Sequence, residues 1–465
     1  MTALRAVLEN RTVELAGRDV LVLGFGVSGR SAADYCVRRG ARVVVADERP
    51  QDQIPEAARL PVGTLGHFGK PFPDLARFDL VIPSPGIPVA RYAGKARVAW
   101  GDIELCAQAL EIPIVAVTGT NGKSTVVRLI EALARAAGLR AEAAGNIGTP
   151  ALELVGKPLD LAVLEISSFQ LESVDTFRPK TSVFLNITPD HYDRHADMAG
   201  YFAAKARIFA RQGEGDHVIL NGDDAIVAAA VTPDGVERLE FFRDEANAAA
   251  SRAAGRAWIA GDRIEIRRGR RTHSISLAGS PQLAQQKENV MAALLALASL
   301  EDELGLDLAR AAEALSCFEG LPHRCVRVAE RGGVAWYDDS KATNLGAAAR
   351  ALETMKPPIV WIAGGKHKGA DLGPLAESAR GRVRVALLIG DAAPELARAL
   401  AGKVPFERVG ELAKAVVRAA EVALPGDSVL LAPACSSFDL CENFEDRGRQ
   451  FVAAVQRLAY PGSPS

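Results

Sequence analysis

Short apolar runs alternate along this chain with glycine-rich turns and with runs of helical periodicity. The clearest case starts at residues 112–117, an apolar run that predicts a buried strand. A glycine-rich turn follows, and residues 126–137 then show the spacing of an amphipathic helix. The same order returns in three successive blocks. The pattern predicts an α/β protein built on parallel sheets.

The turn after the first of these strands has the features of a phosphate-binding loop. Gly119 and Gly122 allow the backbone to approach an anion, and successive amide N–H groups at a helix N-terminus point toward it. Lys123 can reach terminal phosphates, and Ser124 or Thr125 can hold Mg²⁺. Val117 stands where the usual motif has its first glycine. A purely structural turn is the weaker alternative, so we expect binding and hydrolysis of a nucleoside triphosphate.

A second glycine motif opens the chain. Residues 19–24 predict a strand, residues 24–29 have the pattern G-x-G-x-x-G, and a helix should extend to about Arg39. The next strand, residues 42–46, ends in Asp47. This arrangement is typical of dinucleotide sites, but the same turn can hold the diphosphate of any nucleotide. A further strand, residues 80–82, runs into the tight loop Ser-Pro-Gly-Ile-Pro.

The middle of the chain places polar residues after two more predicted strands. The predicted strand at residues 159–166 contains Glu165 near its end. Glu165 is either a Mg²⁺ ligand or an acidic residue that faces solvent. The predicted strand at residues 181–187 is followed by His191, His195 and two acidic residues, which suggests a zinc site. The signal is weak, because no third ligand follows at protease-like spacing. A helix at residues 199–211, a small β-hairpin insert within 236–277 with a solvated basic tip at 267–271, and a long helix at 288–300 complete this block.

The last block again predicts a parallel sheet with one functional edge. Four strands are expected, and each ends in a loop of small, polar or cationic residues: 334–337, 359–363, 385–389 and 428–431. The lysines and hydroxyls in these loops suit an anionic substrate.

Composition narrows the class of protein. A net charge of −2, 48% hydrophobic residues and six scattered cysteines without a C-x-x-C pair are typical of a soluble cytoplasmic protein. The charge gives no reason to expect nucleic acid or a membrane as a partner, and no apolar run reaches membrane-spanning length. We expect three domains, at residues 1–102, 103–320 and 321–465.

Taken together, the motifs resemble the Mur ligase family of peptidoglycan synthesis, in order and over essentially the whole chain. They are TGTNGKST, EISSFQLE, NITPDHYDRH, GLPHR, DDSKATN, GGKHKG and ACSSFDLCENFEDRG. The pairing of SSFQLE with SSFDLCENFEDRG resembles the D-glutamate-adding branch. The resemblance implies an N-terminal Rossmann-like UDP-binding domain, a central P-loop ATPase-like domain and a C-terminal Rossmann-like domain that binds the amino acid.

The resemblance also implies a reaction. ATP would phosphorylate the carboxylate of UDP-N-acetylmuramoyl-L-alanine to an acyl phosphate, and the amine of D-glutamate would displace phosphate to form an amide. Two Mg²⁺ sites are implied, with Mn²⁺ as the alternative ion, and ATP is a co-substrate. One chain would enclose the whole site, so a monomer is expected.

Site roles follow from the same resemblance. The implied catalytic residues are Lys123, Glu165, His191 and Lys205, and the metal ligands are Ser124, Glu165, His191 and Lys205 if the last is carbamylated. ATP would contact Gly119, Thr120, Asn121, Gly122, Lys123, Ser124, Thr125, Asn289, Arg324 and Asp339. The UDP substrate would contact Val27, Ser28, Asp47, Arg49, Ser84, Gly86, Asn146, Ser167 and Gln170. D-Glutamate would contact Lys341, Thr343, Lys368, Ser437 and Phe444. Without the resemblance, Lys205 would be interpreted as a lysine on a helix surface.

One departure and three alternatives accompany this interpretation. Gln285 and Gln286 stand where the family usually has His-Asn, which changes the expected adenine contacts, and Pro433 replaces a common serine with little expected consequence. A sibling Mur or folylpolyglutamate-type ligase would use another amino acid. An NAD-dependent dehydrogenase would explain the first glycine motif but leave the GKST loop without a role. A non-catalytic nucleotide switch would hydrolyse ATP slowly whatever the acceptor.

Overall fold

The structure, a computed structural model, describes residues 14–192, 194–278, 283 and 286–458. Two compact units are distinguished. The first contains the chain up to Ile187 together with Ala199–Phe318, and the second contains Thr188–Met198 together with the chain from Glu319 onward. The first two expected blocks therefore share one unit, and the domain boundaries themselves stay a prediction.

The first unit opens with a parallel sheet that has four strands among the described residues. Its strands are β1 (Asp19–Leu23), β2 (Arg42–Asp47), β3 (Leu65–Phe68) and β4 (Leu80–Pro83), in the order β3-β2-β1-β4. Helix α1 (Val27–Arg38) follows β1, and 3₁₀ turns lie at Gln51–Gln53, Pro55–Arg59, Leu75–Arg77 and Val89–Arg91. Strand β1 is central, so its carboxyl end lies beside those of β2 and β4, where open α/β sheets bind ligands. Helix α2 (Asp102–Ala109) leads into the next sheet.

A second, larger sheet continues this unit. Its strands run in the order β13-β12-β11-β10-β9-β8-β5-β7-β6 and are parallel from β11 to β6. They are β5 (Ile114–Thr118), β6 (Ala141–Gly145), β7 (Leu161–Glu165), β8 (Thr181–Phe184), β9 (His217–Asn221), β10 (Glu237–Phe242), β11 (Gly255–Ala260), β12 (Arg263–Arg268) and β13 (Arg271–Ser276).

The helices of this part follow the strands closely. They are α3 (Lys123–Ala136), α4 (Ser168–Leu171), α5 (Met198–Ala206), α6 (Ala225–Ala228), α7 (Glu245–Ala250), α8 (Lys287–Ala298), α9 (Glu301–Leu304) and α10 (Leu308–Glu313), with 3₁₀ turns at Ala151–Leu154 and Ala314–Cys317. Helices α3 and α8 pack on each other over the sheet, and α8 is buried along almost its whole circumference. After its polar first turn the helix is apolar on every face, and such a helix belongs in a core.

The interpretation of residues 236–277 as a small hairpin insert is confirmed for residues 255–276, which form antiparallel hairpins, and is wrong for the segment as a separate insert. Strands β10 and β11 extend the large sheet in parallel, and only β11, β12 and β13 form antiparallel pairs at its edge. Alternate side chains of these strands enter the main core, including Phe241, Ile264 and Ile275, and this burial favours sheet continuation. The basic hairpin tip was predicted correctly as a surface feature, because residues 267 and 269–271 are exposed, and the partly buried Arg268 pairs with Glu237 at 2.6 Å.

The second unit is built on a sheet with strand order β14-β15-β19-β16-β17-β18. The strands are β14 (Val326–Arg331), β15 (Val334–Asp338), β16 (Ile359–Gly364), β17 (Val383–Ile389), β18 (Phe406–Gly410) and β19 (Ser428–Leu431). All pairs are parallel except β14 with β15. Helices α11 (Leu345–Thr354), α12 (Gly373–Ala379) and α13 (Ala393–Leu400) cover one face, and α14 (Leu412–Val422) and α15 (Phe444–Arg457) cover the other.

All four strands predicted for the last block are present, and the predicted parallel sheet gains an antiparallel edge strand. Two elements in the middle block of the chain are shorter than predicted. Strand β8 ends at Phe184 instead of residue 187, and helix α5 ends at Ala206 instead of residue 211. No helix in the described part of the chain combines the length and the apolar character that crossing a bilayer requires.

Candidate active site

The phosphate loop joins strand β5 to helix α3. Gly119 has φ 150° and Gly122 has φ 87°, in the region that favours glycine. A Cβ at Gly119 would lie 3.0 Å from Leu185 Cβ, and one at Gly122 would lie 2.6 Å from Asn289 Oδ1. Helix α3 begins at Lys123, so the N–H groups of Ser124 and its neighbours lie in the first turn, where anions bind.

Two lysines converge on one carbonyl of this loop. Lys123 Nζ donates to Gly119 O and to Thr120 O, both at 2.9 Å, and Lys205 Nζ donates to Gly119 O at 2.8 Å. Lys205 is only 1% exposed and lies 4.7 Å over the Tyr201 ring. The alternative of a helix-surface lysine is therefore wrong. Two cations beside one phosphate loop create a strongly attractive site for a polyphosphate.

Sequence reasoning missed the residue that braces the loop, Asn186. Its Oδ1 accepts from Asn121 N at 2.9 Å, its Nδ2 donates to Asn121 O at 3.1 Å, and its own carbonyl accepts from Thr120 N at 3.0 Å. The signal was available, because Asn186 opens the NITPDHYDRH motif at the end of the neighbouring strand. A side chain that pairs with both backbone groups of one residue fixes the loop without any ligand.

Glu165 ends strand β7 and is 3% exposed. Its Oε1 accepts from Asn146 Nδ2 at 3.0 Å, whereas its Oε2 is buried without a hydrogen-bond partner among the described residues. An unpaired buried carboxylate oxygen is costly unless a ligand completes it. Carboxylates are the protein ligands that Mg²⁺ prefers, so Glu165 fits a cation beside a phosphate site.

The first glycine turn lies at the carboxyl ends of β1, β2 and β4. Ser84 Oγ donates to Gly24 O at 2.7 Å, which joins the two strand ends. Asp47 is 5% exposed; its carboxylate accepts from Phe25 N at 2.9 Å and from Arg49 Nη2 at 2.7 Å. Burial alone would raise the pKa of Asp47, but the Arg49 guanidinium and the two backbone N–H donors hold it below its ordinary value. Val27 and Gly86 lie exposed at the same edge.

Ser167 and Gln170 form the N-terminal capping box of helix α4. Gln170 N donates to Ser167 Oγ at 3.2 Å, and Gln170 Oε1 accepts from Ser167 N at 3.1 Å. The remaining nitrogen of the Gln170 amide donates to Asp102 Oδ2 at 3.2 Å. Burial raises the pKa of the Asp102 carboxyl, and the side chains of Gln170 and Ser28, which are predicted from two different blocks, oppose that rise.

Of the two glutamines that replace the family's usual His-Asn pair, the structure describes Gln286, which lies near the phosphate loop. Gln286 Oε1 accepts from Asn289 Nδ2 at 3.3 Å, and a Cβ at Gly122 would lie 2.6 Å from Asn289 Oδ1. The longer glutamine thus orients a predicted ATP residue. Gln285 lies outside the described residues.

In the second unit, Asp190 collects three donors. Lys368 Nζ lies 2.9 Å from its Oδ1, Asn344 Nδ2 lies 3.1 Å from its Oδ2, and His191 N lies 2.9 Å from its Oδ1. Burial would raise the pKa of Asp190, but the Lys368 ammonium and the His191 side chain hold it below its ordinary value. Thr343, Lys368 and His191 line one small cavity with Asp190. Sequence reasoning missed Asp190 as the organiser of this cavity.

A second group in this unit surrounds Phe444. Lys341 Nζ lies 3.7 Å from the centre of the Phe444 ring, and His323 contacts the same ring edge-on at 6.5 Å. Ser437 is 3% exposed, and its carbonyl accepts from Cys441 N at 2.8 Å. The predicted D-glutamate residues thus fall into two groups within one unit.

The predicted ATP residues Arg324 and Asp339 also lie in the second unit. Burial raises the pKa of the Asp339 carboxyl to about 7, although the positive charge of Arg324 opposes that shift. Asp339 Oδ1 accepts from Cys325 N at 3.2 Å.

The zinc hypothesis finds no ligand set in the described part of the chain, where no three His, Cys, Asp or Glu side chains are grouped to hold a metal ion. His191 and His195 instead share one turn, in which His195 N donates to His191 O at 2.9 Å. Asp193, the second acid of that segment, lies outside the described residues.

Comparison with known families matches the chain in three successive pieces. The models described as Mur ligase MurD-like N-terminal domain, Mur ligase middle domain, and Mur ligase glutamate ligase domain match residues 18–102, 117–297 and 323–435. These matches cover well over half of the chain.

Curated relatives agree over nearly the full length. A UDP-N-acetylmuramoylalanine–D-glutamate ligase from Aromatoleum aromaticum is 43% identical, with 96% of this chain and 98% of the relative covered. An enzyme of the same name from Nitrosococcus oceani is 39% identical, with 94% and 96% covered.

Solved structures share the architecture at low identity. A pseudomurein peptide ligase type C from Methanothermus fervidus gives a TM-score of 0.58 at 17% identity, covering 89% of this chain and 96% of that one. A MurF ligase from Thermotoga maritima in complex with ADP gives 0.57 at 15% identity, covering 97% and 98%. These two likenesses concern the fold alone.

Proposed function

This chain belongs to the Mur ligase family, and we propose that it joins D-glutamate to UDP-N-acetylmuramoyl-L-alanine with conversion of ATP to ADP and phosphate. The carrying observation is the match, over nearly the whole chain, to relatives named for D-glutamate ligation. The glycine motif at residues 24–29 falls within the MurD-like N-terminal domain, so it is assigned to the UDP substrate rather than to NAD.

The first chemical step is phosphoryl transfer. A carboxylate is a poor electrophile, so an oxygen of the L-alanyl carboxylate attacks the γ-phosphorus, ADP leaves, and an acyl phosphate forms. The N–H groups at the start of α3 and the Lys123 ammonium hold the terminal phosphates. For this, Lys123 exchanges its contacts with Gly119 O and Thr120 O for phosphate oxygens. Asn186 keeps the loop in shape during that exchange.

The second step forms the amide. The amine of D-glutamate attacks the acyl carbon, and inorganic phosphate leaves with the bonding electrons of the C–O bond and takes up the proton that the nitrogen loses. We assign the carboxylates of D-glutamate to Lys341, Thr343, Lys368, Ser437 and Phe444, where two cations and hydroxyls match two negative charges. Asp190 holds Lys368 at 2.9 Å and so fixes one of those cations. Holding the reactants in register can supply about 7–11 kcal/mol of the barrier.

Mg²⁺ is proposed as the metal, with Mn²⁺ as the alternative. Two metal sites are proposed: Ser124 would hold the first ion, Glu165 would be a further ligand, and His191 would help to hold a second ion. Lys205 would be a ligand if it is carbamylated. Once bound, the metal would neutralise charge on the phosphate oxygens. The orphan Oε2 of Glu165 is the supporting feature.

We further propose that the enzyme acts in the cytoplasm as a monomer, on small molecules and without nucleic acid. All six cysteines lie in the described residues and are free thiols, which fits a reducing compartment. One chain carries both the phosphate loop and the predicted amino-acid residues, so no partner subunit is needed.

The testing experiment measures phosphate release with ATP, Mg²⁺ and UDP-N-acetylmuramoyl-L-alanine. Parallel reactions contain D-glutamate, L-glutamate, L-alanine or no acceptor. Turnover with D-glutamate alone is expected. Turnover only with another amine would indicate a sibling ligase, and release that ignores every acceptor would leave a nucleotide hydrolase or switch.

A further inference from the structure

A small cavity in the second unit contains a histidine that has no role in the steps described above. His367 lies in the glycine-rich loop that follows strand β16, directly before Lys368. It lines the cavity together with Lys368, Thr343 and Asp190. The volume of about 20 Å³ admits one water-sized group but not a whole amino acid. A ligand at this place can therefore insert a single small group.

The ring of His367 is held through one of its two nitrogens. Nδ1 lies 2.7 Å from Oε2 of Glu395, a residue of helix α13 that lies outside the lining of the cavity. A carboxylate can only accept, so Nδ1 carries the proton and donates, and Nε2 keeps a lone pair and is an acceptor. The ring thus meets Glu395 with one nitrogen and presents another part of its edge to the cavity.

The second nitrogen is buried and unused. His367 Nε2 is shielded from solvent and has no hydrogen-bond partner among the residues that the structure describes. Because the large majority of buried polar side-chain atoms have a partner, an orphan acceptor beside a cavity indicates a donor that arrives with a ligand. Both oxygens of the neighbouring Asp190 already accept hydrogen bonds, from Lys368 and from Asn344. An entering N–H group therefore finds an available acceptor in Nε2.

The residues beside this nitrogen are those proposed for D-glutamate. Lys368 and Thr343 are assigned to its carboxylates, but no contact has yet been assigned to its amine. In an amino acid the amine is bonded to the carbon next to a carboxylate. A carboxylate that binds Lys368 and Thr343 therefore brings the amine close to His367, and an amine has the size that the cavity admits.

Resting on the proposed function, we propose that His367 Nε2 accepts an N–H of the D-glutamate amine and so selects a substrate that has an amine beside its carboxylate. This contact leaves the lone pair of the deprotonated amine free to attack the acyl phosphate. Glu395 touches no substrate atom and is a positioning residue, because it keeps the proton of the ring on Nδ1.

Two substitutions separate the roles of the two ring nitrogens. In His367→Asn, the short side chain has its amide nitrogen near the place of Nδ1, so it can still donate to Glu395 but offers no acceptor in place of Nε2. In His367→Gln, the longer side chain can place its oxygen near the position of Nε2 but loses the bond to Glu395. A structural role through Glu395 predicts that the Gln variant is damaged more, and the proposed role predicts the reverse.

The measurement is phosphate release with D-glutamate as the varied substrate and glutarate as a competing ligand. Glutarate has both carboxylates of D-glutamate and lacks the amine, so it reports on the carboxylate contacts alone. His367→Asn should lower kcat/KM for D-glutamate about tenfold, the scale of one lost hydrogen bond to a charged group. The inhibition constant of glutarate, the KM values for ATP and the UDP substrate, and the Mg²⁺ requirement should change less than about twofold. His367→Gln should lose at most about threefold.

The control is His273→Asn in the first unit, where His273 Nε2 lies 3.2 Å from Glu301 Oε2. Loss of that pair should leave every kinetic constant unchanged. Thermal unfolding shows whether each variant is folded. If His367→Asn does not fold, His367→Phe replaces it, since a phenyl ring keeps the planar shape without an acceptor and should give the same loss.

Three results would overturn the proposal. They are equal weakening of D-glutamate and glutarate, greater damage from His367→Gln than from His367→Asn, and a raised Mg²⁺ requirement, which would indicate a metal ligand instead. Unaltered kinetics of the variants in an enzyme that turns over D-glutamate would contradict this assignment alone. Silence of the unchanged enzyme with D-glutamate would contradict the proposed function and this assignment with it.

Discussion

The two glycine turns of the first unit share a backbone design and differ in what surrounds it. Each follows a central parallel strand and leads into a helix: the motif at residues 24–29 starts directly after β1 and runs into the first turn of α1, and residues 119–122 lie between β5 and α3. Each uses a glycine with positive φ, 79° at Gly24 and 150° at Gly119. Backbone alone therefore makes both sites suitable for phosphate.

Side chains separate the two turns. At Gly24 the carbonyl accepts from the neutral Ser84 hydroxyl, and the Asp47 carboxylate accepts from Phe25 N beside it. At Gly119 the carbonyl accepts from two ammonium groups, those of Lys123 and Lys205. The cation beside the first turn, Arg49, forms an ion pair with Asp47 at 2.7 Å, and this arrangement suits a diphosphate that serves as a handle. The two ammonium groups at the second turn suit a site where negative charge shifts during transfer. The comparison predicts that charge changes at the second turn affect turnover and that changes at the first affect substrate affinity.

The largest effect is expected from Lys123→Met. Removal of the ammonium should lower kcat by about 10³-fold or more, because it stabilises charge on the transferred phosphoryl group. Phosphate release at saturating substrates is the measurement. Affinity for the UDP substrate should stay within about twofold of the unchanged enzyme, since ATP and the UDP substrate use different turns. Lys157→Met is the control, because Lys157 pairs with Glu142 on the surface. Retained kcat in Lys123→Met would remove the distinction between the turns.

Lys205→Arg should lower turnover by about 10²-fold, because the bulkier guanidinium does not fit against Gly119 O and Tyr201 and cannot accept CO₂. Turnover of the unchanged enzyme is also measured in CO₂-depleted buffer and after bicarbonate is restored. If Lys205 is carbamylated during catalysis, depletion lowers activity and bicarbonate restores it, and the Arg variant responds to neither treatment. Equal activity with and without CO₂ would leave Lys205 acting as a cation.

The two turns also show which features of the structure could be predicted from the sequence. Glycine spacing and the flanking apolar runs predicted both turns and the parallel strands beside them, since these depend on local backbone needs. The burial of Lys205 could not be predicted this way. Helix α5 is mostly apolar around this one charged residue, so its sequence does not show which face is buried, and the packing of Tyr201 and Gly119 around the lysine decides it.

Contacts across long sequence separations account for the other omissions. Asn186 braces a loop 65 residues earlier in the chain, and Asp102 reaches Gln170 68 residues later. Neither has a periodic pattern, because one side chain carries each contact. The prediction for residues 236–277 failed at the edge of the large sheet for a related reason. Alternation of apolar and polar residues predicts strands there but does not show with which strand each of them pairs. The roles of the individual site residues came from the family resemblance, and the structure shows which of these residues lie close together.

Gly29→Ala should damage the first turn specifically. A Cβ there would lie 2.1 Å from the Gly24 carbonyl oxygen, a backbone atom that cannot move without opening the turn. We expect binding of the UDP substrate to weaken by about tenfold or more, with ATP affinity little changed. Calorimetry of each ligand gives the answer. Gly26→Ala is the matched control within the same motif, because its Cβ would meet no atom within 4 Å and its φ is negative, at −93°. Similar losses in both variants would show that glycine content, rather than the close approach at Gly29, matters.

The smallest effect is expected from Asp47→Asn, and it depends on pH. The pKa of Asp47 is lower in the folded protein than its ordinary value of 3.8, so the carboxylate contributes stability that is fully present above that value. This contribution is lost as pH falls through the lowered pKa. The variant should be less stable than the unchanged protein by about 1 kcal/mol above about pH 5, because Arg49 is half-exposed and solvent screens the pair. The difference should shrink as the pH falls below 3.8 and through the lowered pKa.

Urea unfolding at a series of pH values measures this difference, and affinity for the UDP substrate should fall only severalfold. Asp19→Asn is the control, because Asp19 pairs with Arg42 at 2.7 Å in the same sheet but at the exposed end of β1, where screening is stronger. Its stability difference should be the smaller of the two. A stability difference for Asp47→Asn that persists unchanged at low pH would assign the role of Asp47 to the hydrogen bond from Phe25 N. The negative charge that distinguishes the first turn from the second would then have no part in its stability.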